Sequence, residues 1–394
     1  IECCEYQLLI ATDSLPALIK LVDTQARTCP EAACQSLLYS YEAGLLNRYY
    51  DNNRYTIRQR ETVADTHTDD IREWDTDRFI YIISDRLEAS LKDEKTLFPT
   101  PLSSYADALK QGADATVLQP TLYDFLSHQA INLYKSLIER YPSLRVQNEV
   151  FTRASLILPP PFPDMADNYA IRRRIIDVYD RLIDLWNTEP QSPSLLMARL
   201  DRETFLQEQA PDSTYIDNLF SLYREYEASP YSTEVLIRIG ETITDKDPHL
   251  SSWLSACEKQ MNRYADYFRI GCLANLYKRI TAPIFYTSIP QIVYPGINTP
   301  FDFTYSHIDR LVMSIAPTID STSVKRYEIP VISTRIGESQ EGKDTLPTLP
   351  SGNYRLHFEI DGTTGTYAET TFAVSKFYTY TQNRLHNGGV NIVV

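Results

Sequence analysis

The sequence predicts two parts, an all-α array of helical hairpins followed by an antiparallel β-sandwich. Residues 1–280 repeat apolar side chains at helical spacing, and near residue 281 prolines break that spacing. Short segments that alternate apolar and polar residues follow. With 394 residues the chain is long enough for several cores. We expect an all-α domain over 1–280, divided near 100–120 or 159–165, a β-sandwich over 281–380, and a strand or linker toward a further domain over 381–394.

The helical prediction rests on amphipathic stripes. In residues 69–91 the apolar side chains recur every three or four positions, and Thr68, Asp69 and Asp70 offer the oxygens and negative charge that favour a helix start. The stripe consists of Ile71, Trp74, Phe79, Ile82, Ile83, Leu87 and Leu91. Pro30 precedes a second such pattern, in the place where a first helical turn accepts proline.

A weak internal repeat suggests how the helices are arranged. The segments 133–143, 178–193 and 219–233 each read as an amphipathic helix that ends in an aromatic residue, followed by a Pro/Ser turn and another helix. Stacked hairpins of this kind are typical of tetratricopeptide-like solenoids. The spacing is irregular, so the prediction is a solenoid-like array.

The strand prediction rests on alternation. In NYRLHFEI the side chains of Tyr354, Leu356, Phe358 and Ile360 face one way and the residues between them the other. The turn DGTTG joins this segment to TYAETTFAV, which indicates a β-hairpin. The segments FDFTY, RLVMSI and RYEIPVI bring the total to about seven strands, a composition typical of a small sandwich of immunoglobulin-like type.

Asp124 and His128 form the most site-like pair in the chain. They stand four apart on a predicted helix, so both side chains reach one face, where a metal or an acid–base pair is geometrically conceivable. No third ligand is placed to join them. A structural role explains more, because Pro120 and Thr121 open the helix and Thr121 forms a capping box with Asp124.

The cysteine pattern favours free thiols over a thioester. The pairs Cys4–Gln7 and Cys257–Gln260 have the spacing of an internal thioester but lack the neighbouring glycine, so we take both as chance. Cys257 and Cys272 fall in what reads as one continuous helix, roughly 22 Å apart and beyond disulfide reach. Whether Cys29 pairs with Cys34 stays open.

Charge and motifs shape the functional expectations. The net charge of −14 leaves no basic surplus for phosphates, so we expect no nucleic-acid partner. No apolar run is long enough for a transmembrane segment.

Arg172, Arg173 and Arg174 are expected on a solvated helix face. No hydrolase or phosphate-loop motif is present, and the histidines are scattered (positions 67, 128, 249, 307, 357 and 386). We therefore expect no catalytic, cofactor or metal residue, and no enzyme; the binding residues are unknown.

Several stretches together resemble a known family. The segments YEAGLLNRYYDNNRYTIRQRETV, DDIREWDTDRFIYIISDRLEASL and LQPTLYDFLSHQAINLYKS are similar to the amino-terminal region of large alpha-2-macroglobulin-like proteins of Bacteroides-type bacteria. The segments LPSGNYRLHFEI and TTFAVSKF resemble the first macroglobulin-like β-sandwich of those proteins. The resemblance runs across most of the chain.

The resemblance implies an amino-terminal portion of a protease-trapping protein that is exported to the periplasm or the outer membrane. Its partners would be proteases or other envelope proteins, with the helical part as a non-catalytic platform. Family bait and thioester segments lie downstream of this region, so no functional residue is carried over. The chain starts with Ile and shows no signal peptide, which suggests trimming; a lipid anchor at Cys3 or Cys4 lacks the usual preceding lipobox.

A second interpretation places the chain among binding proteins. The chain could be a free-standing helical-repeat protein that binds peptides or glycans, with its 28 tyrosines covering a groove or stacking on sugars. The reading frame beyond Val394 discriminates between the two, because further β-domains favour the first and a stop codon the second.

Overall fold

The computed structural model describes residues 4, 14–60, 68–107, 109, 112, 114–144, 151–157, 168–244, 246–319, 323–332, 339–360, 368–377, 380–382 and 391–393. It forms two compact units: unit 1 covers Ile1–Val235 and unit 2 covers Leu236–Val394. Helices come first and strands follow, with the last helix ending at Thr281 and the first strand beginning at Ile284. This order confirms the coarse prediction of a helical part followed by a β part.

The regular elements of unit 1 are helices in its described residues, apart from one isolated β-bridge between Pro101 and Thr121. Its helices are α1 (Leu15–Thr28), α2 (Ala32–Arg58), α3 (Thr76–Ser90), α4 (Glu94–Leu97), α5 (Ala115–Leu118), α6 (Leu122–Arg140), α7 (Arg153–Ile157), α8 (Asn168–Trp186), α9 (Pro193–Gln209) and α10 (Tyr215–Glu225). Helix α11 (Ser232–Thr242) begins in unit 1 and ends in unit 2. Among the described helices, none combines the length and apolar character that crossing a bilayer requires.

One predicted helix start was wrong. Helix α3 begins at Thr76, where Asp75 accepts a hydrogen bond from the Arg78 backbone N–H at 2.8 Å. Asp70 instead caps a separate 3₁₀ turn, Ile71–Glu73. The chain offers two acidic caps five residues apart, and the cap next to the continuous apolar stripe starts the long helix because burial stabilises that segment.

The core of unit 1 joins all of its larger helices. Neighbours along the chain pack together, α1 on α2, α2 on α3 and α8 on α9, and α6 packs across α2, α3 and α8. The aromatic residues that close the three repeat segments, Tyr141, Trp186 and Tyr226, are all buried. Each fixes the end of its helix on a neighbour; the Tyr226 hydroxyl, for example, donates to the Pro190 carbonyl at 2.7 Å.

Near its start, unit 2 has two helices where the sequence pattern predicted one. The predicted continuous helix around Cys257 and Cys272 is two helices, α12 (Leu250–Arg263) and α13 (Ile270–Thr281), which pack on each other. The 22 Å estimate therefore does not apply, although both thiols are free. Trp253 of α12 lies directly on Gly240 of α11, where a Cβ would meet the indole at 2.5 Å, and the indole N–H donates to the Leu236 carbonyl at 2.8 Å.

The strands of unit 2 form two larger sheets and a small one. The strands are β1 (Ile284–Ser288), β2 (Ile292–Val293), β3 (Thr299–Ser306), β4 (Leu311–Pro317), β5 (Lys325–Ile329), β6 (Gln340–Leu346), β7 (Gly352–Ile360), β8 (Ala368–Val374), β9 (Tyr380–Gln382) and β10 (Asn391–Val393). One sheet has the order β1-β3-β6, the second β2-β8-β7-β4-β5, and the third β10-β9. All described pairs are antiparallel except β2 with β8.

The two larger sheets share one hydrophobic core. Phe358 of β7 lies 4.8 Å from Phe285 of β1, measured between ring centroids, and 6.2 Å from Phe301 of β3. The predicted inward face of β7 is buried as expected, and β7 pairs with β8 as the hairpin prediction required. The DGTTG turn itself lies outside the described residues.

Two strands of the β1-β3-β6 sheet were not predicted from the sequence. Strand β6 reads QEGKDTL, which is mostly polar and exposed, and β1 is short and bounded by prolines. Both lie at the edges of their sheet, on either side of β3. An edge strand keeps a weak hydrophobic pattern because only one edge and one face are covered, so tertiary pairing decides its structure.

Candidate functional site

Asp124 is a structural residue in this fold. The predicted capping box is present: Thr121 Oγ1 accepts from the Asp124 N–H at 3.1 Å, and Asp124 Oδ2 accepts from the Thr121 N–H at 3.0 Å. Its other oxygen, Oδ1, accepts the Trp186 indole N–H at 2.8 Å. Burial raises the pKa of Asp124, while the hydrogen bonds from Trp186 and Thr121 lower it.

His128 does not join that carboxylate. Its Nδ1 lies 2.8 Å from the backbone carbonyl of Asp124, so this nitrogen carries the proton and donates it to the carbonyl. The two side chains therefore have different partners, and the pair forms no acid–base site. The sequence could not reveal the Trp186 contact, because that residue is 62 positions away.

The structure also places the other sequence candidates. Cys257 and Gln260 are buried on α12, where burial raises the pKa of the Cys257 thiol, and the thiol is free. The backbone N–H of His249 donates to Asp247, and the His307 ring bonds the Ala282 carbonyl. Within the described residues no group of three His, Cys, Asp or Glu side chains is close enough to hold a metal. Cys3, Gln7, His67 and His386 lie outside the described residues.

The expectation of a solvated Arg172–Arg174 face was wrong, because all three arginines are buried. Arg172 donates to the Gln209 side chain at 2.7 Å and to the Leu144 carbonyl at 3.1 Å. Arg173 donates to the Leu156 carbonyl at 2.5 Å, and Arg174 to Glu88 at 2.5 Å.

The physical reason for this burial is the position of α8. Successive residues on a helix point about 100° apart. Three in a row therefore reach three different neighbours, here α9, α7 and α3. The carbonyls of Leu144 and Leu156 lie at the ends of short helical turns, where backbone carbonyls run out of intrahelical donors, and the guanidinium groups cap them. The three arginines therefore have a structural role, connecting α8 to α9, α7 and α3.

The cleft that stands out in unit 1 lies between α8, α9 and α10. It has a volume of about 470 Å³. Its wall consists of Asp180, Ile183, Arg199, Arg202, Glu203, Asn218, Ser221, Leu222 and Glu225. We call this set of residues the α8–α10 cleft. Apart from an apolar floor of Ile183 and Leu222, every lining residue is charged or carries a polar side chain.

Ion pairs organise the charges of the α8–α10 cleft. Arg202 Nε lies 2.6 Å from Asp180 Oδ1, and Arg199 Nη1 lies 2.5 Å from Glu225 Oε1. Glu203 pairs with Arg153. The hydrogen bond to Glu225 raises the pKa of Arg199, whose guanidinium also stands over the Tyr226 ring at 5.9 Å. The pairs hold the walls of the cleft in a defined geometry.

The carboxylates reach further into solvent than the deeper guanidinium group. The side chains of Asp180 and Glu225 are 41% and 43% exposed, whereas that of Arg202 is 17% exposed. Asn218 is exposed on α10, and the Ser221 hydroxyl donates to the Asp217 carbonyl at 2.9 Å. The sequence analysis missed these residues because polar positions on amphipathic helices look like any solvated face.

Comparison with known proteins gives no family. No protein-family model matches the chain, and no curated protein matches it. Among solved structures, the chain is similar to a Pseudomonas fluorescens alkylpurine DNA glycosylase bound to DNA containing an abasic-site analogue. The match has 10% identity, covers 74% of this chain and 97% of that chain, and has a TM-score of 0.20. A similarity this low supports no statement about the fold or activity of this chain.

Two expectations from the sequence do not stand, that the chain is not an enzyme and that it has no nucleic-acid partner. The matched protein is an enzyme and its structure contains DNA. Both exclusions rested on weak physical grounds. A net charge of −14 is a sum that permits a locally basic surface, and missing short motifs do not exclude a site assembled from distant segments.

Proposed function

We propose that unit 1 is a protein-interaction platform whose α8–α10 cleft binds an extended, cationic polypeptide segment. The observation that carries the proposal is the charge layout of the cleft, with the carboxylates of Asp180 and Glu225 toward solvent and Arg202 deeper. Its volume of about 470 Å³ lies within the size of small-ligand clefts and suits a few residues of a peptide.

Cationic side chains of the occupant would pair with the exposed carboxylates. Each surface pair contributes only about 0.2–1 kcal/mol, so several are needed, and their sum weakens as salt rises. The internal pairs of Asp180 with Arg202 and of Glu225 with Arg199 hold these carboxylates in place before binding. A preorganised site loses less side-chain entropy when it binds.

The amide of Asn218 gives the cleft a way to bind a main chain. An exposed carboxamide offers both a donor and an acceptor, the complement of a backbone C=O and N–H. Such pairing does not depend on the side chains of the occupant. The proposed specificity is therefore for charge and extended conformation more than for one sequence.

We also propose the finer architecture and its setting. The helical part would be a tetratricopeptide-like solenoid, which the buried repeat aromatics Tyr141, Trp186 and Tyr226 support. The β part would be an immunoglobulin-like, macroglobulin-like sandwich, supported by the two sheets that share one core. The setting would be an exported alpha-2-macroglobulin-like protease trap, for which the support is the sequence resemblance.

The binding proposal is tested with fluorescent peptides of equal length in which a Gly/Ser backbone carries Lys, Glu or neither. Fluorescence anisotropy at low salt is expected to give at least about tenfold tighter binding of the Lys peptide, a difference of about 1.4 kcal/mol. The double variant Asp180→Asn/Glu225→Gln should lose that preference, and Asn218→Ala should weaken all binding.

Matched controls separate the cleft from the acidity of the whole chain. Asp302→Asn/Glu328→Gln removes the same charge from exposed, ion-paired carboxylates of unit 2, and Asn262→Ala removes an exposed helical amide there. Both controls should leave binding unchanged. Equal losses in cleft and control variants, or equal binding of Lys and Glu peptides, would refute the cationic cleft.

The setting is tested separately with the gene product that carries this chain. It is mixed with a protease, and cleavage of large and small substrates is scored. A trap blocks large substrates while small ones are still cleaved, and deletion of residues 1–280 should alter that effect. If the protease is unaffected and digests the protein, the free-standing peptide- or glycan-binding interpretation replaces the trap.

A further inference from the structure

We propose that Cys29 and Cys34 form a redox-reversible disulfide that closes the corner between α1 and α2. This inference does not depend on the binding proposal. It concerns a pair of thiols whose pairing the sequence left open, and both thiols are free in this structure.

The corner brings the two residues together. Cys29 caps the end of α1, with its N–H bonded to the Gln25 carbonyl at 2.9 Å, and Cys34 lies in the first turn of α2. Only four residues separate them, and the Cys34 thiol lies near enough to that of Cys29 for the two to interact, while the Cys29 thiol donates to the Glu31 carbonyl at 3.6 Å. Formation of the bond then requires a rotation of the two side chains that brings the sulfurs to bonding distance.

Other contacts hold this corner in shape. The Gln35 side chain donates to the Ala26 carbonyl at 2.8 Å, which ties the start of α2 to the end of α1. The Gln35 N–H bonds the Glu31 carbonyl at 2.9 Å. Because the backbone is fixed on both sides of the pair, the thiols stay adjacent in the folded chain and the disulfide closes a preformed turn.

The pair is accessible to a dissolved oxidant, since both thiols are only partly buried. Burial, together with the hydrogen bond to Cys29, raises the pKa of the Cys34 thiol to about 11. Cys34 is therefore protonated at neutral pH, so we assign the first attack to Cys29. Oxidation should accelerate as the pH rises, because the thiolate is the nucleophile.

The oxidant we assign is a small-molecule disulfide such as oxidised glutathione. The Cys29 thiolate attacks one glutathione sulfur, breaks the glutathione S–S bond and releases one glutathione thiolate. Cys34 then attacks Sγ of Cys29, forms the protein disulfide and releases the second glutathione. The protein pair loses two electrons and two protons, and one glutathione disulfide becomes two glutathione thiols.

The experiment equilibrates the folded chain in a series of reduced-to-oxidised glutathione ratios, blocks free thiols with iodoacetamide and maps tryptic peptides. Both cysteines fall in one peptide, residues 28–48. At oxidising ratios this peptide should lose two hydrogens and take no iodoacetamide or glutathione. Cys272, an exposed thiol on α13, should instead carry one glutathione.

Two single-cysteine variants and the urea-unfolded wild type serve as the comparisons. Cys29→Ser and Cys34→Ser should each convert the remaining thiol of the peptide into a glutathione mixed disulfide, and circular dichroism confirms that they fold. The oxidised wild type should also melt at a higher temperature than the reduced protein. The proposal is overturned if the wild-type peptide stays alkylated, or carries two glutathiones, at ratios that oxidise the urea-unfolded chain.

Discussion

The structural role of Asp124 leads to a quantitative prediction. Asp124→Ala removes both reciprocal bonds of the capping box, a loss of about 1 kcal/mol for a helix start of this kind. It also leaves the indole N–H of Trp186 without its acceptor inside the core, which costs about 1–3 kcal/mol. The free energy of unfolding of unit 1 should therefore fall by about 2–4 kcal/mol.

His128→Ala is the matched change on the same helix. It removes one hydrogen bond to a helical carbonyl and leaves the carboxylate contacts of Asp124 intact. We expect a loss below about 1 kcal/mol. Asp124→Asn should fall between the two, since the amide keeps one acceptor oxygen but adds donors that face the Thr121 N–H.

Urea unfolding followed by far-UV circular dichroism and tryptophan fluorescence measures these differences. The chain has two compact units, so the data are fitted with two transitions; Trp74 and Trp186 report on unit 1 and Trp253 reports on unit 2. Equal losses for Asp124→Ala and His128→Ala would refute the reasoning, because the pair would then act as one unit. A loss below about 0.5 kcal/mol for Asp124→Ala would also refute it.

Three further predictions concern other buried groups. Gly240→Ala places a methyl group against Trp253 and should destabilise unit 2 by about 1–3 kcal/mol in urea unfolding. Burial raises the pKa of Glu42 in the folded chain from 4.5 to about 7. Between these pH values the folded chain binds the proton more tightly than the unfolded chain, so the unfolding free energy falls as the pH rises. Relative to Glu42→Gln, the unfolding free energy of the wild type should fall by roughly 3 kcal/mol from pH 4.5 to 8. Arg173→Ala leaves the Leu156 carbonyl buried without its donor and should cost about 2–4 kcal/mol.

Each of these has a control in the same chain. Gly271→Ala on α13 meets no atom within 4 Å and should be stabilising by about 0.5–1 kcal/mol. Arg181→Ala removes an exposed ion pair with Glu94 and should cost less than about 1 kcal/mol. The Trp253 argument fails if Gly240→Ala leaves the unfolding free energy unchanged. The Glu42 argument fails if Glu42→Gln has the same pH dependence of stability as the wild type. The Arg173 argument fails if Arg173→Ala and Arg181→Ala lower the unfolding free energy equally.

Features that depend on neighbours in the chain were predictable from the amino-acid sequence. The capping box of Thr121 and Asp124 follows from hydrogen bonds over three residues, so its pattern is readable. The buried face of β7 follows from strict alternation, and the pairing of β7 with β8 from a short turn between two such segments. The order of helices before strands follows from the change of period near residue 281.

The tertiary structure decided everything that depends on residues far apart in the chain. Arg172–Arg174 look solvated until α3, α7 and α9 close around the start of α8. The second partner of Asp124 is Trp186, and the α8–α10 cleft draws its charges from three helices. The polar strand β6 becomes a strand only because β3 pairs with it. Local patterns encode local hydrogen bonds and the period of burial, whereas the identity of the covering partner depends on how the elements pack.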